Sequence, residues 1–380
     1  MIYVDNAATT KPSDSVITIV TFCMKYLWGN PSSIHFFGKK AAEMLQDARV
    51  RIGECIGAKG SEIYFTSGGS EADNQAIISA ATTGKENGKT HIISTKIEHH
   101  AILHTLEKLG RKGFEIELLD VDENGLVSPG EVEKAIRKDT CLVTIMYANN
   151  EIGTIQPIKE IGKICKEKGV LFHTDAVQAA GHLPINVADQ NIDMLSFAAH
   201  KFHGPKGVGV LYARSGVKLY NVIEGGGQER GKRGGTENVP AILGMATALE
   251  ESCEKMEENT KKVERLRDIL IGGLLKIPGC ILNGDLKNRL PGNVNVSFEG
   301  VEGESLLLLL NAKEVCASTG SACTSGSLEP SHVLSAIGRE KGLAHGSIRF
   351  SLCEQNTEEE VNFIIRSVTE IVSYIRGLSK

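Results

Sequence analysis

The strongest constraint on the fold is the alternation of short β-branched or aromatic runs with longer helical patterns over the first two thirds of the chain. Strands that alternate with helices in this way are typical of a parallel or mixed sheet covered by helices. The sequence therefore predicts an α/β protein. The predicted strands are residues 63–65, 91–94, 115–119, 141–147, 170–174, 194–197 and 209–212, and the predicted helices between them are 71–83, 99–110, 128–137 and 157–168.

Beyond about Val239 the pattern changes. A long, charge-rich helical stretch over residues 242–276 is followed by shorter strands and helices, which predicts a smaller α+β domain. We expect a large domain over residues 15–255 and a small domain formed by residues 1–14 and 256–380. The predicted elements of this second part are strands 293–298 and 347–351 and helices 303–311, 330–338 and 357–377.

Composition narrows the class of protein. The chain is 41% apolar, and no apolar run approaches the ~18–20 residues that span a membrane. A net charge of −5 disfavours non-specific binding to nucleic acid or to anionic membranes. The sequence starts without an export signal, and its nine cysteines form no CxxC pair. We therefore expect a cytoplasmic protein with neither a disulfide framework nor a zinc ribbon.

Four polar clusters follow predicted strands: residues 66–70, residues 149–151, Asp175, and the pair His200-Lys201. Ligands of open α/β sheets bind beyond the carboxyl ends of the strands. The four clusters are therefore expected to converge on one site, although they lie far apart in the sequence.

Residues 66–70 (Thr-Ser-Gly-Gly-Ser) join a predicted strand to a predicted helix. Glycines let the backbone approach an anion, and a helix N-terminus supplies free N–H groups, so this segment is a candidate phosphate site. A glycine turn followed by a serine N-cap is the alternative interpretation of the same residues.

Lys201 lies at a strand end in a Gly/Pro-rich loop, and Asp175 ends an apolar strand 26 residues earlier. A lysine in this position is either a Schiff-base amine or a solvated loop residue. A pyridoxal phosphate site requires a phosphate cradle, a Schiff-base lysine and an acid for the ring nitrogen. The segment 66–70, Lys201 and Asp175 are candidates for these three parts.

His99, His100 and His104 share one predicted helix, and their spacing could place a zinc ion. The H-E-x-x-H pattern is absent and no carboxylate ligand is evident, so we expect no metal site. A zinc hydrolase stays open as an alternative hypothesis. Stacking of one histidine on a flat cofactor is the better functional interpretation, and a satisfied surface histidine is the structural one.

Residues 226–233 nearly match the P-loop pattern, but Arg233 occupies the position where a hydroxyl must meet Mg²⁺. We therefore reject ATP binding and predict a mobile or subunit-bridging loop. Cys323 lies among small polar residues, which predicts an exposed loop and a reactive thiol. The other cysteines are interpreted as small buried hydrophobic residues.

Taken together, these motifs resemble the NifS/IscS-type cysteine desulfurases, which are class V aminotransferases of pyridoxal-phosphate fold type I. The resemblance implies a large cofactor-binding domain, with a mostly parallel seven-stranded sheet flanked by helices, and a smaller α+β domain that carries the catalytic cysteine loop. Any one motif is weak, but their order is that of the family. They cover residues 3–10, 29–35, 66–74, 98–99, 149–153, 173–178, 200–201, 204–207, 225–238, 320–325, 328–330 and 347–350.

The resemblance also implies roles for individual residues. Lys201 would be the Schiff-base lysine and Cys323 the nucleophile. His99 would stack on the ring and shuttle protons, and Asp175 would keep the pyridine nitrogen protonated. The other implied cofactor contacts are Gly69, Ser70, Asn150, Gln178, His200 and, across a homodimer, Thr236; the implied substrate contacts are Asn30 and Arg349.

The implied reaction takes sulfur from L-cysteine, releases L-alanine and leaves a persulfide on Cys323 for an acceptor protein. Either an iron–sulfur scaffold or a tRNA-thiolation enzyme would be the acceptor. A selenocysteine lyase, another class V pyridoxal-phosphate lyase and a non-catalytic sulfur carrier are the alternatives. Ala198 departs from the family pattern, because a serine hydroxyl usually contacts the phosphate there. We expect one hydrogen bond to be missing unless Ser196 or water replaces it.

Overall fold

The computed structural model describes residues 1–319 and 330–378. Its strands fall into one large sheet and two small ones. The strands are β1 (Ile2–Tyr3), β2 (Ile63–Thr66), β3 (His91–Thr95), β4 (Glu115–Leu119), β5 (Thr140–Thr144), β6 (Leu171–Asp175), β7 (Met194–Ala198), β8 (Gly209–Ala213), β9 (Cys280–Leu282), β10 (Asn293–Phe298), β11 (Val315–Cys316) and β12 (Ser347–Ser351).

The large sheet has seven strands in the order β2-β8-β7-β6-β5-β3-β4. β8 runs antiparallel to both of its neighbours, and the other neighbouring strands are parallel. Every residue of β3, β5, β7 and β8 is buried, as expected for strands covered on both faces. The predicted α/β class with a mostly parallel seven-stranded sheet is confirmed.

Helices surround this sheet and extend into the second part of the chain. The helices are α1 (Asp14–Tyr26), α2 (Phe36–Ile56), α3 (Gly69–Glu86), α4 (His100–Gly110), α5 (Pro129–Ala135), α6 (Ile158–Lys168), α7 (Gln228–Gly231), α8 (Val239–Glu254), α9 (Met256–Leu274), α10 (Gly303–Ala312), α11 (His332–Ala336), α12 (Lys341–His345) and α13 (Glu358–Leu378).

Two differences from the sequence-based expectation concern helices. α1 and α2, which pack against α8, were not predicted. The long helical stretch predicted over residues 242–276 is two helices, because the backbone leaves the helical conformation at Lys255 (φ −96°, ψ 5°). No helix of residues 1–319 or 330–378 is long and apolar enough to cross a membrane.

The second part of the chain has its own apolar cluster. Its members include Leu270, Val296, Leu306, Phe350 and Ile364, from α9, β10, α10, β12 and α13. These elements surround the three-stranded antiparallel sheet β12-β10-β9, and β1 pairs with β11 beside it. The smaller α+β unit predicted from the sequence is therefore present.

The N-terminal segment connects the two parts. Asp5 forms a bridge with Ser351 next to the small sheet, and the backbone N–H of Thr10 donates to the carbonyl of His200 at 2.8 Å. Residues 5–10 therefore cross from the small sheet to the carboxyl end of β7.

Candidate active site

A cavity of about 440 Å³ lies where the carboxyl ends of β6 and β7 meet the N-terminal ends of α3 and α4. Two of the four strand-end clusters, Asp175 and His200-Lys201, contribute to it fully; residues 66–70 contribute Gly69 and Ser70, and residues 149–151 contribute Asn150 and Glu151. The structure thus brings together residues that lie up to 342 positions apart (Ala7 to Arg349). The site residues named from the sequence that line it are Gly69, Ser70, His99, Asn150, Asp175, Gln178, His200, Lys201 and Arg349.

Two of the named residues lie elsewhere. Asn30 and Thr236 are exposed and do not line the cavity of this single protomer. Cys323 lies outside the described residues. The cavity as described therefore holds the predicted cofactor contacts of one chain, without the contact expected from a partner subunit.

The end of the cavity at which the sequence predicts a phosphate, called the phosphate end below, is built by close approach of the backbone. α3 begins at Gly69, directly after β2, and a Cβ atom at Gly69 would lie 2.6 Å from Cγ2 of Val177. A Cβ atom at Gly209 on β8 would lie 2.7 Å from the carbonyl carbon of Gly68. Glycine is required at both positions, and the N-terminus of α3 can therefore meet an anion at the sheet edge.

His200 closes the same end of the cavity. Its Nδ1 lies 3.3 Å from Oγ1 of Thr9. Burial, followed by the charges of Lys201 and Lys206, lowers the pKa of His200 to about 4. The ring is therefore neutral near pH 7 and offers a phosphate one N–H donor.

Ala198 lines the cavity, as the motif pattern indicates. Ser196 cannot replace the missing hydroxyl, because its Oγ lies 3.0 Å from Nε2 of His173 and the residue is fully buried outside the cavity lining. Of the two substitutes considered, Ser196 is therefore not placed to contact a phosphate in this cavity, which leaves water.

Lys201 follows β7 in a single 3₁₀ turn. Its Nζ donates to the carbonyl oxygens of Ala7 (2.6 Å) and Ala8 (2.8 Å). Gln178 donates from Nε2 to the same Ala7 oxygen at 3.0 Å. The N-terminal segment thus holds the lysine amine at the wall of the cavity.

His99 is the N-cap of α4, and its Nδ1 accepts a hydrogen bond from the N–H of Ala101 at 3.1 Å. Burial and the nearby Lys201 lower the pKa of His99 to about 4. The neutral ring therefore carries its proton on Nε2. His99 is thus a fixed, flat and uncharged group at the cavity wall.

Asp175 ends β6, and its Oδ1 accepts from the N–H of Val177 at 2.9 Å. Burial raises the pKa of Asp175 to about 6, against the opposing effects of the Val177 hydrogen bond and Lys201. The carboxyl is therefore mostly ionised near pH 7, and a cation beside it would favour the ionised form further.

Arg349 lies on β12 and reaches the cavity from the smaller unit. Its Nη1 donates to the carbonyl of Asn150 at 2.8 Å, and its Nη2 lies 3.0 Å from Oδ1 of Asp5. Its buried Nε has no hydrogen-bond partner within the described part of the chain. One donor of the guanidinium is therefore available to an anionic ligand.

Three buried acids were not identified from the sequence: Asp73 and Glu151, which line the cavity, and Glu98, which precedes the lining residue His99 in the chain. Burial raises the pKa of Glu98 to about 8 and that of Glu151 to about 7. Glu98 accepts from the N–H of Met146, and Glu151 accepts from the hydroxyl of Ser331. A sequence signal existed for Asp73, because it interrupts the small apolar residues on the buried face of α3.

The histidine cluster is formed by rings in contact. His100 lies 4.9 Å from His104 and 4.7 Å from His332, measured between ring centroids. Over residues 1–319 and 330–378, no group of three or more His, Cys, Asp or Glu side chains is arranged to hold a metal ion. The described geometry gives the zinc alternative no support.

The family model described as Aminotransferase class-V matches residues 2–364. The chain belongs to the class V aminotransferases. Cysteine desulfurase IscS of Methanosarcina thermophila is 53% identical over 378 residues, which is 100% of this chain and 93% of that protein. Cysteine desulfurase IscS of Dictyoglomus turgidum is 50% identical over 379 residues, covering 100% and 96%.

Solved structures agree with this class V aminotransferase assignment. A NifS-like protein is 41% identical, with a TM-score of 0.93 over 98% of this chain and 99% of that one. The structure titled "SspA in complex with cysteine" is 37% identical, with a TM-score of 0.84 over 94% and 100%. The resemblance to the NifS/IscS-type enzymes and the fold type expected from it are confirmed.

In this class V aminotransferase the segment 224–235, which contains the residues predicted to form a mobile or subunit-bridging loop, is anchored by two ion pairs. Glu229 is buried and forms two hydrogen bonds with Arg49, at 2.7 and 2.5 Å, and its Oε2 accepts from the N–H of Phe65 at 2.9 Å. Arg233 pairs with Glu71 on α3 at 2.9 Å. Both contacts fix the segment against the elements that carry the phosphate end of the cavity.

Proposed function

We propose that the chain is a pyridoxal-phosphate-dependent cysteine desulfurase that converts L-cysteine to L-alanine and leaves the sulfur as a persulfide on Cys323. The observation that carries the proposal is the convergence of Lys201, Asp175, His99 and Arg349 on one cavity. The names of its relatives support the choice of substrate.

The cavity residues fit pyridoxal phosphate. Gly69, Ser70 and His200 would hold the phosphate, with Thr236 of the partner subunit, and Gln178 and Asn150 would contact the ring. Asp175 would face the ring nitrogen, where its buried carboxyl favours a cationic partner. When bound, the cofactor supplies an electron sink for carbanion chemistry.

Individual side chains of the protein have separate roles in the proposed reaction. Arg349 orients the substrate carboxylate with its available Nε donor, and Asn30 is proposed to assist it. Lys201 Nζ takes the proton from the substrate Cα, and His99 moves a proton through Nε2. The thiolate of Cys323 attacks the substrate sulfur, and the bond between that sulfur and the substrate Cβ breaks with its electron pair going to the carbon skeleton. The skeleton takes up a proton at Cβ and leaves as alanine, while the sulfur stays on Cys323 as a persulfide.

We also propose a cytoplasmic homodimer that delivers sulfur to an iron–sulfur scaffold or a tRNA-thiolation enzyme. An exposed aromatic cluster on α1 and at the start of α2 supports self-association, because exposed apolar patches mark interaction sites. It includes Phe22, Tyr26, Trp28, Phe36 and Phe37, and the rings of Trp28 and Phe37 stack at 4.7 Å.

The division into domains over residues 15–255 and over residues 1–14 with 256–380 is part of the proposal. The separate apolar cluster of α9, β10, α10, β12 and α13 supports it, since a domain has its own core. Val4 belongs to this cluster, which favours placing the N-terminal residues with the second domain.

The test starts with the purified chain loaded with pyridoxal phosphate. Borohydride should fix the cofactor on Lys201, which peptide mass analysis reports. Cys323→Ser should keep the cofactor absorbance and lose alanine and sulfide release from cysteine, because it lacks the thiolate. Cys280→Ser, at a half-buried thiol of β9, is the matched control and should retain turnover.

Normal sulfide release by Cys323→Ser would remove Cys323 from the nucleophile role. Comparison of cysteine with selenocysteine as substrate decides between a desulfurase and a selenocysteine lyase. Faster turnover of selenocysteine with no persulfide on the protein would overturn the proposal.

A further inference from the structure

Asp73 is a buried acid at the cavity that the proposed reaction leaves unused. It lies on the second turn of α3, lines the cavity and is 1% exposed. Its Oδ1 atom has no hydrogen-bond partner within residues 1–319 and 330–378. An ionised carboxylate without a partner is costly in such a place, so Asp73 needs either a cation or a proton.

The base that faces Asp73 is His173, and it carries no positive charge. Nε2 of His173, on β6, lies 3.7 Å from Oδ1 of Asp73. The same Nε2 lies 3.0 Å from Oγ of Ser196, and Nδ1 lies 2.8 Å from Oγ1 of Thr144. Burial lowers the pKa of His173 to about 3, so the ring is neutral.

The charged groups that face Asp73 from the other elements are acids. Burial, Asp175 at the end of β6 and Glu98 after β3 together hold the pKa of Asp73 well above its usual range, and the Ser196 hydroxyl opposes them. Asp175 differs because the Val177 N–H and the charge of Lys201 both favour its ionised form. Of the two neighbouring carboxyls, Asp73 is therefore the one that keeps a proton.

We propose that Asp73 is a positioning residue that acts through Asp175: it holds the one proton that the two carboxyls share, which leaves Asp175 ionised toward the cationic ring nitrogen of bound pyridoxal phosphate. The identity of the ligand rests on the proposed function. The sharing of the proton is a property of the protein alone and is measured without the cofactor.

The first experiment compares the full chain, freed of cofactor, with its Asp73→Asn variant by urea unfolding between pH 5 and pH 9. A carboxyl whose pKa is raised by folding stabilises the fold at pH values below its unfolded pKa of ~3.9, and this contribution is lost as the pH rises toward the folded value. Asparagine resembles the protonated acid and does not ionise, so the variant does not lose this stabilisation as the pH rises. The urea midpoint of Asp73→Asn relative to the wild type should therefore rise steadily with pH.

Glu71→Gln is the matched control on the same helix. Glu71 is paired with Arg233, and hydrogen bonds from Arg233 and Ser67 lower the pKa of Glu71 against the effect of burial. A carboxyl whose pKa is lowered by folding stabilises the fold above its unfolded pKa of ~4.3, so this contribution is already complete near pH 5. Glu71→Gln should therefore be less stable than the wild type by an amount that stays constant from pH 5 to pH 9. A difference in urea midpoint between Asp73→Asn and the wild type that stays constant from pH 5 to pH 9 would overturn the proposal.

The second experiment uses the loaded protein and reads the absorbance of the bound cofactor at pH 7. Asp73→Asn should keep the wild-type spectrum, whereas Asp175→Asn should change it. A changed spectrum in Asp73→Asn would show that Asp73 is ionised in the loaded wild type and would overturn the proposal, because asparagine resembles only the protonated acid. Should Asp73→Asn not fold, Asp73→Ala gives the same pH comparison, because it also lacks the titrating carboxyl. An absence of desulfurase activity would refute the proposed function and leave these results standing.

Discussion

Two neighbouring regions differ in how completely their buried charged groups are hydrogen-bonded. At the anchored segment 224–235, Glu229 meets Arg49 through two hydrogen bonds and a backbone N–H besides. At the cavity, Asp73 has an oxygen and Arg349 a buried Nε without a partner in the described residues, and Glu98, next to His99 in the chain, accepts only from neutral donors. Both regions contact α3, one through the pair of Arg233 with Glu71 and the other through Asp73.

The difference indicates what each region is for. A buried ion pair with complete hydrogen bonding fixes the geometry of the chain around it. Buried groups that are left incomplete have perturbed proton affinities and remain available to a ligand. The anchored segment therefore serves the structure, and the cavity keeps its unsatisfied groups for chemistry.

The largest effect on stability is expected from breaking the buried pair of Arg49 and Glu229 in the anchored segment. Arg49→Ala leaves Glu229 buried without its cation and also removes the guanidinium that lies 4.3 Å from the Phe65 ring centroid. We expect a loss of about 3–5 kcal/mol in the free energy of unfolding, measured by urea denaturation.

Arg51→Ala is the matched control, two residues along α2. Arg51 pairs with Glu250 on α8, but both side chains are partly exposed, so we expect a loss of only ~0–1 kcal/mol. Equal losses for Arg49→Ala and Arg51→Ala would contradict the view that the anchored segment rests on a complete buried pair.

A smaller effect is expected from adding a hydrogen-bond donor to the cavity. Ala198→Ser restores a hydroxyl at the phosphate end, and a hydrogen bond to a charged group is typically worth ~1.5–3 kcal/mol. The dissociation constant of pyridoxal phosphate should fall by roughly 10-fold or more, measured by reconstitution of the cofactor-free protein.

Ser70→Ala serves as the opposing variant, since it removes a hydroxyl from the same end and should weaken retention. Unchanged affinity in Ala198→Ser would show that the phosphate end already has all the donors it can use.

The smallest effect is expected from the pair of His203 and Glu354, which lie 3.2 Å apart. This pair is neither as complete as that of the anchored segment nor as incomplete as the groups of the cavity. Burial opposes protonation of His203, but Glu354 outweighs it and raises the pKa of His203. The stabilisation is complete below the unfolded value of ~6.5 and is lost as the pH rises through the raised folded pKa. His203→Asn should cost ~0.5–1 kcal/mol at pH 6 and less at pH 9, by urea denaturation.

Asparagine suits this test because His203 has a φ of 64°, a left-handed conformation that asparagine tolerates. Glu354→Gln should remove the same pH dependence. A cost that is equal at both pH values would assign the effect to packing instead of charge.

Much of the fold follows from the sequence, and α1 shows why part of it does not. Residues 16–21 of α1 are six consecutive β-branched residues, which favour a strand. The helix forms because Ser13 caps it and because Val20 packs closely on Gly244 of α8. α2 is different, because its buried residues at 41, 45, 48, 52 and 56 and its end at Gly57 carry the helical signal openly.

The candidate site divides in the same way. Strand-end residues such as Asp175 and Lys201 were identifiable because parallel strands bring their carboxyl ends together. The role of Asp73 was not, because its proton affinity depends on burial and on neighbours distant in sequence. Thr236 could not be placed from one chain at all, since its proposed role needs a second copy.

The path of the N-terminal segment has a consequence for biosynthesis. Residues 5–8 leave the ribosome long before residues 349–351, yet Asp5 contacts Arg349 and bridges to Ser351, and Ala7 and Ala8 hold Lys201. Chains are made from the N-terminus, and domains tend to fold as they emerge. The seven-stranded sheet can form while translation continues, but residues 5–8 must wait for Arg349 and Ser351. Nascent chains that stall before residue 349 therefore contain a sheet without a finished cavity, and they cannot begin turnover before release.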